Sequence, residues 1–224
     1  MDLKPNIAID GPAGAGKSTV AKLVAKELGF LYIDTGAMYR AVTLKAFRQG
    51  VNLDDTVALR EVAASASVNL VPGDEQSLKV FLDGEDVTEE IRSPYISRSV
   101  SLVARVPEVR NRLVELQRAM AKQGGVVMEG RDIGTVVLPD ARIKIFLTAS
   151  PEERARRRLK ELIEKGYHIE QHQMEAEILE RDRIDTSRET GPLVPAPDAE
   201  IIDSSSLPIE KVVNMIIDKI LARG

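Results

Sequence analysis

The run Gly11-Pro12-Ala13-Gly14-Ala15-Gly16-Lys17-Ser18 has the spacing Gly-x4-Gly-Lys-[Ser/Thr]. That spacing suits the cradling of a polyphosphate. Glycines leave the backbone free to turn its N–H groups inward around an anion, and a following helix offers its positive end to the same anion. Lys17 is placed to reach the β- and γ-phosphates of a nucleoside triphosphate, and the Ser18 hydroxyl to take one Mg²⁺ position. The flanks agree. Ile7-Ala8-Ile9-Asp10 enters the loop as an apolar strand. An amphipathic run leaves it, with Val20, Leu23, Val24 and Leu28 on one face and Gly29 as its stop. The competing reading, a glycine-rich strand-to-helix turn without a ligand, has to explain every fixed position of the pattern as accident.

A second group of residues is basic. Ser150-Pro151-Glu152-Glu153 is a capping box with proline in the first turn, and the helix it opens carries Arg154, Arg156, Arg157 and Arg158. Arg154 and Arg158 lie at i,i+4 and share a helix face. After an interruption at Gly166, a charged helix resumes near Gln173 with Arg181, Asp182, Arg183, Asp185 and Arg188. Phosphoryl transfer between two phosphorylated molecules brings polyanions together, so it needs Lys, Mg²⁺ and guanidinium forks. By charge pattern alone, a solvated face paired with Glu152, Glu153 and Glu161 is the better reading of Arg156-Arg157-Arg158. An RNA-binding helix lacks the interleaved aromatics that stack on bases. Beside a phosphate loop, an arginine lid over nucleotides is the reading that uses both features.

Other triphosphate-binding classes fit less well. A guanine-reading Asn-Lys-x-Asp is absent, and where a GTPase switch has Asp-x-x-Gly this chain has Glu129-Gly130-Arg131-Asp132. Motors and transporter ATPases bring larger chains than these 224 residues. At 43% hydrophobic, the chain can bury one substantial core. A net charge of −4 argues against a surface built for nucleic acid or anionic membrane. There is no cysteine, so no disulfide framework or thiolate metal site is expected. No run approaches the ~18 apolar residues of a membrane span, and Asp2 and Lys4 break up the start of the chain, so neither a span nor a signal peptide is expected. His168 and His172 sit in a polar segment, where a solvated helix face is expected.

The elements that must position these groups alternate between strand and helix, the pattern of a parallel sheet covered on both faces. Core strands are predicted at Asn6–Asp10, Phe30–Ile33, Val126–Glu129, Ile143–Leu147 and Glu200–Asp203. Asp34 or Thr35 caps a helix to about Arg48, and a second helix covers about Asp55 to Ala66. The grammar then changes. Val68–Val71, a Pro72-Gly73-Asp74 turn, Leu78–Leu82 and an Asp83-Gly84 turn predict a small antiparallel insertion with Leu78, Val80 and Leu82 on a buried face. Pro94 to Val106 is predicted partly helical, and Pro107 opens a helix to about Lys122. Gly130-Arg131-Asp132-Ile133-Gly134 falls at the carboxyl end of a core strand, the edge where open parallel sheets hold ligands. The extended Gly191–Pro197 connection leads to the last strand, and a final helix runs from Pro208 to about Ala222.

Taken together, Gly11–Ser18, Asp34-Thr35-Gly36-Ala37-Met38-Tyr39-Arg40, Gly130-Arg131-Asp132-Ile133-Gly134-Thr135 and Glu180-Arg181-Asp182-Arg183 resemble the bacterial cytidylate kinase family over essentially the whole chain. The resemblance implies a three-layer α/β/α P-loop fold with a five-stranded parallel sheet, and transfer of phosphate from ATP to CMP or dCMP with Mg²⁺. It implies one kinase domain over 1–224: a core of 1–33, 107–150 and 190–224, an acceptor-binding segment of 34–106 with the β insertion at about 67–92, and a lid at about 151–189. Gly11 to Thr19 would hold ATP. Thr35, Tyr39 and Arg40 would line the acceptor, and Arg40 and Arg131 would hold its phosphate. Ser101, Arg110, Asp132 and Arg188 would read the cytosine edge, and Arg181 and Asp185 the sugar. Lys17, Arg131, Arg154 and Arg158 would carry the transfer, with the last two in the lid. Ser204–Pro208 would lie near the adenine; Glu129, by its place at a strand end, could hold a water of the Mg²⁺ shell or only cap the neighbouring loop. The family also suggests a cytoplasmic monomer with no nucleic-acid or membrane partner.

The chemistry suits these roles. Cytosine differs from uracil by a donor amino group, and by an N3 that accepts, so its site wants a carboxylate and an Arg or hydroxyl donor. The plainer alternatives are an Asp132–Arg131 pair of neighbours and an exposed Arg110.

Overall fold

A computed structural model describes residues 3–73 and 78–222. β1 (Ile7–Asp10) is fully buried and feeds the glycine loop, and α1 (Lys17–Leu28) leaves it, closed by Gly29 in the left-handed conformation. The buried face of α1 is Lys17, Val20, Ala21, Val24 and Ala25, while Leu23, expected there, is exposed. The reason is angular: the buried positions follow an i, i+3, i+4, i+7 stripe that passes Leu23 by. β2 (Leu31–Asp34) ends at Asp34, whose carboxylate accepts from the Ala37 N–H at 2.9 Å and caps α2 (Thr35–Arg48). α3 (Thr56–Ser65) is capped by Asp55 in the same way.

The insertion is antiparallel, as predicted. β3 (Val68–Pro72) pairs with β4 (Leu78–Leu82), and a two-residue β5 (Glu85–Asp86) adds a third strand that the sequence reading did not name. Asp83 and Gly84 both have positive φ, 51° and 89°, which is the geometry of a primed hairpin turn. Asp74, part of the expected Pro72-Gly73-Asp74 turn, lies outside the described residues.

α4 (Pro94–Ala104) and α5 (Pro107–Ala121) each begin on proline. β6 (Val126–Gly130) follows, and then a π-helical turn over Ile133–Val137, closed by the Leu138 N–H to the Ile133 carbonyl at 2.7 Å. β7 (Ile143–Thr148) leads to α6 (Pro151–Glu164), where Ser150 accepts from the Glu153 N–H as the capping box requires. α7 (Gln171–Ser187) starts two residues before the predicted point, then β8 (Glu200–Asp203) and α8 (Ile209–Ala222) complete the chain.

The five core strands form one parallel sheet in the order β2-β6-β1-β7-β8. One face packs on α1 and α8 through Ile7, Ile9, Val24, Ile145, Val212 and Ile216. The other packs on α5 and the π-turn through Ala8, Val114, Met128 and Ile133. A separate apolar cluster joins α2, α3, the insertion, α4 and the start of α5, including Met38, Leu59, Val80, Ile91 and Leu113. A small fourth cluster, Ala155, Leu162, Met174 and Ile178, joins α6 to α7. The strands are parallel, so Asp10, Asp34, Gly130 and Thr148 all end at one edge, and the loops that follow them meet there. Among the described residues no helix is long and apolar enough to cross a membrane. His168 and His172 are both exposed.

Candidate active site

The glycine loop has a backbone that side chains would not allow. Gly14 has φ 76°, and a Cβ there would lie 2.9 Å from the Arg154 carbonyl oxygen. At Gly11 a Cβ would meet the Leu147 carbonyl oxygen at 1.9 Å. The loop therefore packs directly against β7 and α6. Lys17 is buried and donates to the Pro12 carbonyl at 2.7 Å, inside its own loop. Burial, helped by the positive charge of Arg131, lowers its pKa to about 7. An ammonium in that condition gains strongly from an incoming anion.

Beyond the loop, Glu129 lies at the end of β6. It is buried, accepts from the Tyr32 hydroxyl at 2.8 Å and lies near enough to the Ser18 hydroxyl to be stabilised by it. Burial, with the adjacent Asp34 charge, raises its pKa. Thr35 donates to the Glu129 carbonyl at 2.7 Å and ties α2 to the same strand end. Asp34 pairs with Arg40 at 2.8 Å. Burial acts to raise the Asp34 carboxyl, yet Arg40 and the Ala37 N–H hold it below the usual carboxylate range.

A pocket of about 40 Å³ opens between α2, α4, α5, α7 and the loop after β6. It brings together Thr35, Tyr39, Ser101, Arg110, Arg131, Asp132, Arg181, Asp185 and Arg188. Of the predicted acceptor residues only Arg40 is missing from this lining, because its guanidinium is turned to Asp34. Asp132 does not pair with its neighbour Arg131. It is bound to Arg110, and Arg188 stands 3.7 Å from its other oxygen. Arg110 is not an exposed residue: it is 1% exposed, with Tyr39 under its guanidinium at 5.7 Å. Arg131 instead donates to Asp185 at 2.8 Å, and Ser101 donates to the other Asp185 oxygen at 3.0 Å.

The two carboxylates differ. Burial acts to raise Asp185, but Arg131, Arg181 and Arg188 together hold it low. Asp132 stays raised by burial in spite of Arg110 and Arg188. Asp132 is therefore the carboxylate with more to gain from a further donor. Five guanidinium groups, Arg40, Arg110, Arg131, Arg181 and Arg188, face three carboxylates, Asp34, Asp132 and Asp185. Burial and the charge of Arg131 lower Arg181 to about 9. Arg131 and Arg181 stand close enough to Lys17 to act on its charge as well.

The lid arginines split into different roles. Arg154 is buried; it donates to the Ala149 and Ala13 carbonyls at 3.0 and 3.3 Å and pairs with Asp182 at 2.7 Å. Arg157 reaches the Ser204 carbonyl at 2.7 Å, and Ser204 in turn donates to the Ala15 carbonyl of the loop at 3.2 Å. Arg158 bonds Glu161 and, at 3.3 Å, the Ser97 hydroxyl on α4. Arg156 matches the solvated reading in full, exposed and paired with Glu153, and the pairs Arg157–Glu153 and Arg158–Glu161 match it in part.

Sequence reasoning missed several groups. Asp10 accepts from the N–H groups of Ile133 and Gly134 at 2.8 and 2.7 Å, and burial raises it to about 6. Its place as the last residue of a buried strand was the available signal. Asp182, the partner of Arg154, stood in a quoted motif without a role. Gly191, at φ 57°, lies against the Arg110–Asp132 pair: a Cβ there would meet both side chains at 2.4 Å.

The comparisons with known proteins agree with this geometry. The family model described as cytidylate kinase matches residues 7–222. A cytidylate kinase of Pelotomaculum thermopropionicum is 73% identical over 222 residues, covering 99% of this chain and 98% of that protein. One from Desulforamulus reducens is 60% identical over 211 residues, 94% of each. An uncharacterized protein of Eubacterium ventriosum aligns with a TM-score of 0.53 at 15% identity, over 98% of this chain and 99% of that one, which bears on the fold alone. With a parallel-sheet phosphate loop, an arginine- and aspartate-lined pocket beside it and near full-length relatives of one kind, the chain belongs to the cytidylate kinase family.

Proposed function

We propose that the protein transfers the γ-phosphoryl group of ATP to CMP or dCMP, giving ADP and CDP or dCDP. The observation that carries this reading is the buried Asp132, held between Arg110 and Arg188 in a pocket that also gathers Arg131 and Arg181. A carboxylate accepts from the cytosine amino group, and the Arg110, Arg188 and Ser101 donors answer N3 and O2. Uracil offers a carbonyl and an N–H at these places and leaves the site's own groups unpaired, a strong basis for rejection.

In this reading Gly11 to Thr19 wrap the triphosphate of ATP, and Ser204–Pro208 flank its adenine. Thr35 and Tyr39 line the acceptor, Arg40 and Arg131 hold its phosphate, and Arg181 and Asp185 hold its sugar. Lys17, Arg131, Arg154 and Arg158 offset the charge that develops on the transferred group. The acceptor oxygen is already ionised, so no general base is needed and catalysis rests on positioning. The division into a core, an acceptor segment over 34–106 and a lid at about 151–189 is supported by largely separate apolar clusters, although the acceptor cluster runs on to Val109 and Leu113 of α5 and the core cluster takes in Leu78. One chain supplies every group, which favours a monomer, and soluble nucleotide substrates suit the cytoplasm.

Mg²⁺ fits the donor set. The Ser18 hydroxyl adjoins the buried carboxylate of Glu129, whose raised pKa marks an unmet demand for positive charge. Among the described residues no cluster of three ligating side chains exists, which suits an ion held largely by phosphates and water. Ser18 would hold the ion directly and Glu129 through water, and the ion would neutralise charge on the β- and γ-phosphates.

The test is direct. ATP–Mg²⁺ is supplied with CMP, dCMP, UMP, AMP or GMP and ADP release is followed. Fast turnover with CMP or dCMP is expected. Turnover only with another acceptor overturns the cytosine assignment, and no turnover with any acceptor overturns the kinase reading.

A further inference from the structure

The turn that carries Asp132 lacks the cap its sequence offers. Asp132 occupies the position before the π-turn, where an aspartate side chain ordinarily accepts from the first N–H groups. Here it makes no such bond, because its carboxylate is committed to Arg110 and faces Arg188. The leading N–H groups of the turn are nonetheless buried and must find acceptors. They find them on a neighbouring strand: one oxygen of Asp10 accepts from Ile133 at 2.8 Å and the other from Gly134 at 2.7 Å. The register brings Asp10 there, since β1 and β6 run parallel and Asp10 stands opposite Gly130. From the other side, the Asp132 carbonyl accepts from Val136 at 2.9 Å and Val137 at 3.2 Å. The backbone of Asp132 is thus held from both sides, and its side chain is left for the pocket.

We propose that Asp10 is a positioning residue for the acceptor base: it caps the π-turn in place of Asp132 and so leaves the Asp132 carboxylate facing the pyrimidine. Asp10 immediately precedes Gly11, so this one side chain also fixes the distance between the triphosphate loop and the group that reads the base. The inference rests on the reading of Asp132 given above, and goes beyond it by assigning the source of its orientation.

The test compares Asp10→Asn, Asp132→Asn and the double variant, with KM and kcat measured for CMP, UMP and ATP. An asparagine at 10 must turn an N–H₂ toward one of the two backbone N–H groups, which sets donor against donor. For Asp10→Asn we expect kcat/KM for CMP to fall at least tenfold relative to that for UMP, with KM for ATP within about twofold. We also expect that, on the Asp132→Asn background, Asp10→Asn no longer changes the CMP to UMP ratio, because its effect passes through Asp132. If Asp132→Asn itself leaves the ratio unchanged, the reading of the base site has failed. If Asp132→Asn collapses the ratio while Asp10→Asn leaves it intact, this proposal alone has failed. An equal fall for both acceptors and for ATP also overturns it, since that marks a general loss of structure. Should Asp10→Asn not fold, Asp10→Ser keeps one acceptor and is expected to give an intermediate loss of the ratio; an unchanged ratio overturns the proposal.

Discussion

On the reading proposed here, the glycine loop and the pocket beside it bind anions by opposite means. The loop is eight consecutive residues; it offers backbone N–H groups held by the conformations of glycine, with the Lys17 ammonium and Ser18 hydroxyl beside them. The pocket draws on residues from Thr35 to Arg188 on five elements, and its binding groups are side chains that grip each other. Its charged groups already pair with one another, so a ligand that uses them exchanges those ion pairs for its own atoms. Removing charges from water is costly, and partners left alone in the interior are costlier still. On this reading the loop is indifferent to the base, whereas the pocket is selective because each of its groups depends on the others.

The largest effect expected from breaking this contrast is at Lys17. Lys17→Ala should lower turnover by about three orders of magnitude, the scale for removing a preorganised charge from a transferring phosphoryl group. CMP affinity, measured by calorimetry, should change by less than about threefold if the two sites are separate devices. An equal collapse of both would mean that they are one.

Asp132→Ala should act on the fold as well as on the ligand. It leaves Arg110 and Arg188 facing each other in the interior, and breaking a buried pair in this way costs roughly 3–5 kcal/mol. Denaturant unfolding should register most of that loss. A midpoint like that of the parent chain would mean that water reaches the pocket freely.

The same contrast explains what could be read in advance. The sheet, its helices and the loop were legible because their signals are local: apolar runs, caps, and glycines at fixed spacing. The insertion was legible through the alternation of Leu78, Val80 and Leu82 and the Asp83-Gly84 turn. The pocket's membership came from family resemblance, and its pairings were not legible. Asp132 ignores Arg131, one residue away, for Arg110, 22 residues away, because β6 and α5 bring those two side chains together inside the protein. The run of arginines looked uniform because sequence shows charge without burial. Asp10 and Gly191 have roles that exist only once neighbouring strands and loops are in register.

Gly191→Ala sharpens the comparison without removing a charge. The new methyl group would lie 2.4 Å from both Arg110 and Asp132, at a residue with φ 57°. The pair must shift, and KM for CMP should rise by about tenfold, corresponding to roughly 1.4 kcal/mol, with KM for ATP unaffected. A rise in both would show that the pocket wall also shapes the loop.

A pH titration of ATP binding isolates the loop. Lys17 has a pKa of about 7 while it faces only protein, and a triphosphate beside it raises that value. Below pH 7 it is charged with or without ATP, and affinity should be flat in this respect. Above pH 7 the free protein loses the proton and the complex keeps it, so binding takes up as much as one proton and the dissociation constant rises by up to about tenfold per pH unit. Calorimetry near pH 8 in buffers of different ionisation enthalpy should detect this uptake, and CMP binding should show much less.

The finest test uses two arginines on one helix. Arg154 and Arg156 are two residues apart, so their side chains leave α6 about 200° from each other. Arg154 points inward, where it holds the Ala13 carbonyl of the loop and the carboxylate of Asp182 on α7. Without it the loop loses a brace, Asp182 an ion partner and the transferred group a nearby charge, so Arg154→Ala should lower the unfolding temperature by several degrees, raise KM for ATP several-fold and lower kcat. Arg156 points into solvent against Glu153, and Arg157 remains on that carboxylate when it is removed. Exposed pairs of this kind contribute little, so Arg156→Ala should leave turnover within about twofold and the melting curve in place. Residue type and near-identical position cannot separate these two outcomes; only the direction each side chain takes from the helix can. If both variants behaved alike, the loop would not depend on α6 for its shape, and its independence from the rest of the molecule would be greater than the packing of Arg154 implies.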